Sequence, residues 1–125
     1  MVNASSWIAI VDDDPAVLKA LSRLLRSRAL RARTYGSGSE FLAALAAGLP
    51  DCLIVDLQMP EMNGLELQRH LVSNGIRIPT ILITAHADVP EQDQDGFVAS
   101  LRKPLQQQAL FDAIDRAVAG PRSAR

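Results

Sequence analysis

The sequence predicts an α/β domain that is doubly wound around a mostly parallel sheet. Five short apolar runs bounded by turn residues recur along the chain, and segments with helical spacing separate them. Several runs are apolar throughout, as is typical of parallel strands that are covered on both faces. Two of them end in aspartates, at the edge of the sheet where open α/β folds bind ligands.

Length and composition are those of an ordinary globular domain. The chain has 125 residues, of which 48% are hydrophobic and 22% are charged. The net charge of -1 argues against a nucleic-acid surface over the whole domain, and a single cysteine excludes an internal disulfide framework. No apolar run reaches membrane-spanning length, and no signal-peptide pattern begins the chain. We therefore expect a cytoplasmic domain with no membrane contact and no direct nucleic-acid binding.

The first elements are a buried strand, a helix and an edge strand. Residues 7–11 are apolar and lead into three aspartates, the last of which, Asp14, precedes Pro15 and suits a helix cap. Apolar residues recur at helical spacing to about Ala29. Within residues 30–35, apolar or small residues alternate with Arg31 and Arg33, which predicts a half-exposed edge strand.

The middle of the chain continues this alternation. Ser37 and Glu40 match a capping box, and Gly48 predicts the end of that helix. The apolar run 53–55 ends in Asp56, and after a turn rich in helix breakers the residues 65–73 have helical character.

Two further strands and a helix complete the domain. Residues 79–84 form an apolar strand that ends in a hydroxyl, and residues 98–102 form a short strand. A final helix is predicted to stop at Gly120-Pro121, so the domain spans 1–120 and 121–125 form a polar tail or the start of a linker. Residues 91–96 lack an apolar period, which predicts a short, irregular fourth helix or a loop.

Polar side chains follow the ends of four of the predicted strands, namely Asp12, Asp13, Asp56, Thr84 and Lys103. Three carboxylates in a partly dry crevice repel one another unless a cation neutralises them. Ligation by oxygen alone favours a hard ion such as Mg²⁺. One carboxylate could attack phosphorus and form an aspartyl-phosphate, while the lysine and threonine neutralise charge that develops in the transfer.

The motifs that contain these residues resemble those of the receiver domain of two-component response regulators, over nearly the whole chain. They are Val11-Asp12-Asp13, Val55-Asp56 with the turn Met59-Pro60-Glu61-Met62-Asn63-Gly64, Ile83-Thr84-Ala85, and Lys103-Pro104. The resemblance implies a flavodoxin-like sheet of five parallel strands in the order 2-1-3-4-5, with helices on both faces. It also implies a signalling switch and not a metabolic enzyme.

The resemblance implies a phosphoryl acceptor and a metal site. Asp56 would accept the phosphoryl group from a histidine kinase or a phosphotransfer protein. Asp12, Asp13, Asp56 and the backbone carbonyl of Gln58 would hold Mg²⁺, or Mn²⁺ in its place. Phosphorylation would then change how the domain binds a partner, including a second copy of itself in a homodimer.

The same resemblance assigns phosphoryl-binding and switch roles to Thr84, Ala85, Lys103 and Pro104. Thr84 and Lys103 would contact the phosphoryl oxygens, and a cis bond often precedes the equivalent of Pro104. The run 84–90 further resembles receivers that precede a helix-turn-helix DNA-binding domain, which would make the parent protein a transcription regulator.

Two features depart from the family pattern. Ser100 stands where the family usually has a switch aromatic, and the segment between Thr84 and Lys103 looks about a turn shorter than usual. We expect a non-standard output in which Phe97 could substitute for the aromatic. Gln58 and His86 are the residues expected to modulate the phosphoryl lifetime.

Alternative interpretations remain open at this stage. A degenerate receiver could act as a phosphorylation-independent interaction module. A phosphatase of similar architecture would need a second aspartate where Gln58 stands, and a dinucleotide site would need a glycine-rich loop instead of the acidic cluster. Arg23, Arg26, Arg28, Arg31 and Arg33 form a basic cluster that we interpret as a solvated face.

Overall fold

A computed structural model describes residues 6–85 and 96–123 of the chain. Its core is one sheet of five parallel strands in the order β2-β1-β3-β4-β5, which confirms the predicted doubly wound topology. The strands are β1 (Ile8–Val11), β2 (Ala32–Tyr35), β3 (Cys52–Asp56), β4 (Thr80–Thr84) and β5 (Ala99–Arg102).

Helices cover both faces of this sheet. They are α1 (Pro15–Arg26), α2 (Gly38–Ala44) with a 3-10 turn at Leu45–Ala47, α3 (Gly64–Ser73) and α4 (Gln107–Ser123). Side chains of α1 and α4 pack together on one face, and those of α2 and α3 pack on the other.

Strand β1 shows why its sequence is apolar throughout. Ile8 and Ile10 contact the layer of α1 and α4, whereas Ala9 and Val11 contact the layer of α2 and α3. All four side chains are at most 2% exposed. Because successive side chains of a strand point to opposite faces, a strand between two helical layers needs apolar residues at every position.

The caps of the helices follow local sequence. Asp14 caps α1 as predicted, since its side chain accepts a hydrogen bond of 2.9 Å from the Ala16 N–H. The predicted box at Ser37 is only half formed: Ser37 accepts from the Glu40 N–H, but the Glu40 carboxylate accepts from the N–H of Gly36. A complete capping box begins α3 instead.

Several element ends differ from the sequence-based prediction. The first helix ends at Arg26, because Ala29 adopts a left-handed φ of 61° and the Leu30 N–H bonds back to Leu25 O. The following strand therefore begins two residues later than predicted.

The final helix is the larger correction, because it was predicted to stop at Gly120-Pro121 and instead continues to Ser123. A proline removes one backbone hydrogen bond and restricts the preceding residue, which weakens a helix near its end without always ending it.

Two predictions fall largely outside the described residues. The short or irregular helix expected over 91–96 lies there except for Gly96, which is in a turn, and His86 lies there as well. Within the described ranges, no helix combines the length and apolar character needed to span a membrane.

Replacing Gly64 with alanine should destabilise the domain by about 1–3 kcal/mol, as overpacking does in other cores. An added Cβ would lie 2.8 Å from the backbone oxygen of Asp56 and 2.9 Å from Leu82 Cδ1, so the backbone at the end of β3 must shift. Urea unfolding would measure the loss. Gly36→Ala is the matched control, since its Cβ would meet nothing closer than 3.5 Å. Equal unfolding midpoints for the two variants would contradict the predicted clash.

Candidate functional site

The parallel register brings the polar strand ends to one edge of the sheet. Asp12 and Asp13 follow β1, Asp56 ends β3, Thr84 ends β4 and Lys103 follows β5. A hydrogen bond of 2.8 Å from the Lys103 N–H to Thr84 O continues the β4–β5 ladder to the site. The five residues singled out from the sequence therefore do lie at the same end of neighbouring strands.

Three of these residues form a carboxylate cluster. One oxygen each from Asp12, Asp13 and Asp56 lies within 4.8 Å of the others. Asp12 and Asp56 are 2% and 5% exposed, whereas Asp13 faces solvent. Asp12 Oδ1 accepts a hydrogen bond of 2.9 Å from the Asp14 N–H, which orients its other oxygen.

Lys103 bridges the two buried carboxylates. Its Nζ lies 3.3 Å from Asp12 Oδ2 and 3.3 Å from Asp56 Oδ1. The peptide bond that follows, Lys103-Pro104, is cis, as the family resemblance led us to expect.

The electrostatics show that one lysine does not fully balance the cluster. Burial raises the pKa of Asp56, Asp12 raises it further, and Lys103 offsets only part of the increase. Burial alone would lower the pKa of Lys103, but the charges of Asp12 and Asp56 outweigh burial and raise it. The site therefore carries an excess of negative charge that a further cation would relieve.

The donor set fits a hard divalent cation. Among the residues that the structure describes, the cluster offers three carboxylates and no histidine or cysteine, which is the ligand chemistry that Mg²⁺ and Mn²⁺ accept. Gln58 lies in the turn after β3 with an exposed side chain. That its backbone carbonyl is a further ligand stays a prediction.

The residues expected to sense a phosphoryl group have different environments. Thr84 is buried, with 2% of its surface exposed. Ala85, the next residue in the chain, is exposed, and so is Pro104 in the loop after β5. Their phosphoryl-binding and switch roles stay predictions.

The position of the usual switch aromatic is a solvent-facing serine. Ser100 is exposed on β5 and pairs with Leu82 in the sheet. Phe97 is half-buried and packs with the layer of α2 and α3, next to a Gly96 carbonyl that accepts a 2.7 Å hydrogen bond from Gln68. Gly96, the neighbour of Phe97, is thus bonded to α3. That Phe97 substitutes for the switch aromatic stays a prediction.

Gly64 is a residue of the site whose role the sequence did not indicate. Its N–H donates to Leu57 O over 3.0 Å, and the missing side chain leaves room for the backbone oxygen of Asp56. It follows Asn63, whose side chain and that of Glu66 each accept from the other's N–H. The spacing of Asn63 and Glu66 was the local signal that could have shown a capping box, and hence a tight turn, immediately after the acceptor strand.

Comparison with known proteins agrees with this geometry. Residues 8–115 match the family model described as the response regulator receiver domain. The response regulator protein TmoT of Ectopseudomonas mendocina is 41% identical over 121 residues, covering 94% of this chain and 55% of that protein. The transcriptional regulatory protein FixJ of Rhizobium meliloti is 37% identical over 113 residues, covering 88% of this chain and 55% of that protein. The crystal structure of FixJ-N superimposes with a TM-score of 0.86 at 34% identity, covering 96% of this chain and 97% of that one.

A doubly wound sheet with an acidic pocket and a lysine at its carboxyl edge is the architecture of a signalling receiver. The chain belongs to the response regulator receiver domain family. It spans about half the length of the curated relatives that it matches.

Replacing Asp56 with asparagine should raise the thermal stability of the metal-free domain at pH 7. Because the folded state raises the pKa of Asp56, native protein holds this proton more tightly than unfolded protein, and stability falls as pH rises from the unfolded value of about 3.9 through the folded one. The asparagine variant lacks this penalty, so its advantage should vanish near pH 3. Calorimetry between pH 3 and pH 8 would measure it.

Added Mg²⁺ should reverse the order of stability, so that the wild type becomes more stable than Asp56→Asn. Binding to the native state stabilises the wild type by about 2.7 kcal/mol at a hundredfold excess over the dissociation constant, and the variant by less. Asp115→Asn, on the exposed face of α4, is the control that should change neither response. A lower melting temperature for metal-free Asp56→Asn at pH 7 would contradict the charge excess.

Proposed function

We propose that this domain is a phosphorylation-controlled switch that accepts a phosphoryl group on Asp56 in a Mg²⁺-dependent reaction. The observation that carries the proposal is the contact of the Lys103 ammonium with Asp56 and Asp12, at 3.3 Å each, beside a three-carboxylate cluster. Isolated surface residues would lack two features of this site, namely the burial of Asp12 and Asp56 and the lysine that contacts both of them.

Asp12, Asp13 and Asp56 would hold Mg²⁺ or Mn²⁺, with the Gln58 carbonyl as the expected fourth protein ligand. When bound, the cation would neutralise negative charge on the carboxylates and on the phosphoryl oxygens. Burial and Asp12 raise the pKa of Asp56 and so favour its protonated form, whereas the acceptor must be an unprotonated nucleophile. A cation bound beside it would favour the unprotonated form, which supports this assignment of the metal site.

The transfer is a displacement at phosphorus. A carboxylate oxygen of Asp56 forms a bond to phosphorus as the bond from phosphorus to the donor's imidazole nitrogen breaks, and that nitrogen keeps the electron pair and then takes up a proton. Lys103 would pair with the phosphoryl oxygens once its ion pair with Asp56 is replaced. Thr84 and the backbone of Ala85 would contact the remaining oxygens.

The output of this switch is expected to depart from the family pattern. Ser100 is a small, exposed residue and cannot bury or expose a ring when Thr84 moves. We infer that the signal leaves through another part of the domain, and that Gln58 and His86 modulate how long the phosphoryl group persists.

A degenerate receiver that binds partners without phosphorylation is the second candidate, and the exposed Ser100 is the observation that favours it. The intact cluster of carboxylates and lysine weighs against this second candidate. Buried negative charge costs stability, and a module that no longer accepts a phosphoryl group would gain nothing in return.

The partners follow from the chemistry and from the family. The donor would be a histidine kinase or a phosphotransfer protein in the cytoplasm, and the product is a signal, so the domain would not act as a metabolic enzyme. The relative FixJ is named as a transcriptional regulatory protein, which supports a role in transcription regulation for the protein that contains this domain. A phosphorylation-dependent homodimer would be one form of output.

Incubation with acetyl phosphate and Mg²⁺ should add one phosphoryl group, about 80 Da, to the intact mass of the wild type, as expected for one acyl phosphate at a single carboxylate. Asp56→Asn should gain none, and chelation of Mg²⁺ should prevent the gain. Asp115→Asn should behave as the wild type, since this carboxylate is exposed and remote in sequence from the site.

If neither acetyl phosphate nor phosphoramidate modifies the wild type, the switch loses its chemistry and the interaction module becomes the better description. If Asp56→Asn is modified as readily as the wild type, another residue is the acceptor and the assignment of the site is wrong.

A further inference from the structure

The charges of this chain are strongly segregated, although they nearly cancel in total. Residues 15–39 contain six basic side chains and no acidic one, whereas the rest of the chain has 7 basic and 14 acidic side chains. The six, all exposed, form what we name the basic surface: Lys19, Arg23, Arg26, Arg28, Arg31 and Arg33.

Arg26, Arg28 and Arg31 lie near the opposite edge of the sheet from the carboxylate cluster, and the rest of the basic surface extends from there along α1 and β2. Its residues occupy α1, the turn that follows and the start of β2. Ala32 at the start of β2 pairs with Ile8 at the start of β1, whereas Asp12 follows the other end of β1. A polyanion would therefore be attracted to one edge of the domain and repelled from the other.

Two arginines of this surface are held in place by aromatic rings. Arg28 Cζ lies 3.9 Å from the centroid of the Phe111 ring, and Arg33 Cζ lies 4.9 Å from that of Trp7. Phe111 belongs to the layer of α1 and α4 and Trp7 to the layer of α2 and α3, so the surface extends around the edge strand β2. Stacking leaves the edges of each guanidinium available to donate, and it reduces the side-chain entropy that binding would remove.

We propose that the basic surface contacts the phosphate backbone of double-stranded DNA without reading its sequence. Five of the six cations are arginines, whose planar fork matches phosphate oxygens. The exposed large hydrophobic residues of the described chain are Leu49 and Val72, and neither is a member of the basic surface, so no such residue forms an apolar centre among its cations. Phosphate contacts need no such centre.

One relative of this chain is named as a transcriptional regulatory protein, which supports the proposal that this surface contacts DNA. In a longer protein bound to its operator, a receiver with a basic edge would add contacts to the neighbouring phosphates and would orient the domain on the duplex. Helix stability accounts for only part of the charge, since Arg23 and Arg26 favourably oppose the dipole of α1 but the four other cations do not lie in its last turn. The inference is independent of phosphorylation at Asp56, and it revises the expectation drawn from the net charge.

The test uses a fluorescently labelled duplex of mixed sequence and this chain, with anisotropy followed from about 50 to 200 mM NaCl, the range over which phosphate contacts weaken steeply. The double variant Arg23→Gln/Arg26→Gln should bind about tenfold more weakly at the lowest salt, and the slope of log affinity against log salt should decrease by about 1.8. Arg69→Gln/Arg77→Gln, on α3 and the loop after it, changes the net charge equally and should leave binding nearly unchanged.

The single tryptophan of the chain gives a second measurement. DNA that engages Arg33 should change the emission of Trp7, and Arg33→Gln should abolish that change. Circular dichroism would confirm that each variant remains folded.

Three outcomes would overturn the proposal. The duplex could fail to bind at the lowest salt, or the two double variants could lose affinity equally. Poly-glutamate could also compete as effectively as unlabelled duplex at equal charge, which would assign the surface to acidic protein segments.

Discussion

The ion pairs of Lys103 with Asp12 and Asp56 are the interaction around which the site is organised. Burial makes two adjacent carboxylates unfavourable, and the ammonium at 3.3 Å from both relieves part of that cost. The relief is incomplete, as the raised pKa of Asp56 shows. The site therefore keeps an excess of negative charge, which a divalent cation would neutralise. A phosphoryl group on Asp56 would change the ion pairs of Lys103.

The fold supplies this arrangement through strand register. Parallel pairing puts the carboxyl ends of β1, β3, β4 and β5 at one edge, so residues that are distant in sequence become neighbours without a dedicated loop. The turn after Asp56 adds precision, because Gly64 lets α3 begin directly against the end of β3. Packing of the two helical layers holds the strands that carry the charges.

Charge segregation is the second consequence of the topology. The chain reverses direction after α1, so an acidic run at the end of β1 and a basic run before β2 come to lie at opposite edges of one sheet. A net charge of -1 hides this distribution. The acidic edge would accept a phosphoryl group only with the help of a cation and Lys103, whereas the other edge presents arginines directly.

Hydrophobic periodicity and the motifs at the strand ends were enough to predict the five strands, the described helices and the grouping of the acidic residues with Lys103. These signals are local, because an apolar run between turn residues and a capping carboxylate are each encoded within a few positions. Element ends were less well predicted: neither the left-handed conformation of Ala29 nor the continuation of the last helix past Pro121 has a signal in the local sequence pattern. Only the tertiary structure decided that one ammonium contacts two carboxylates, that Gly64 faces the Asp56 carbonyl, and that Trp7 and Phe111 each stack on an arginine. Each of these contacts joins residues from different elements, and their distances follow from the packing of the layers, which no local pattern specifies.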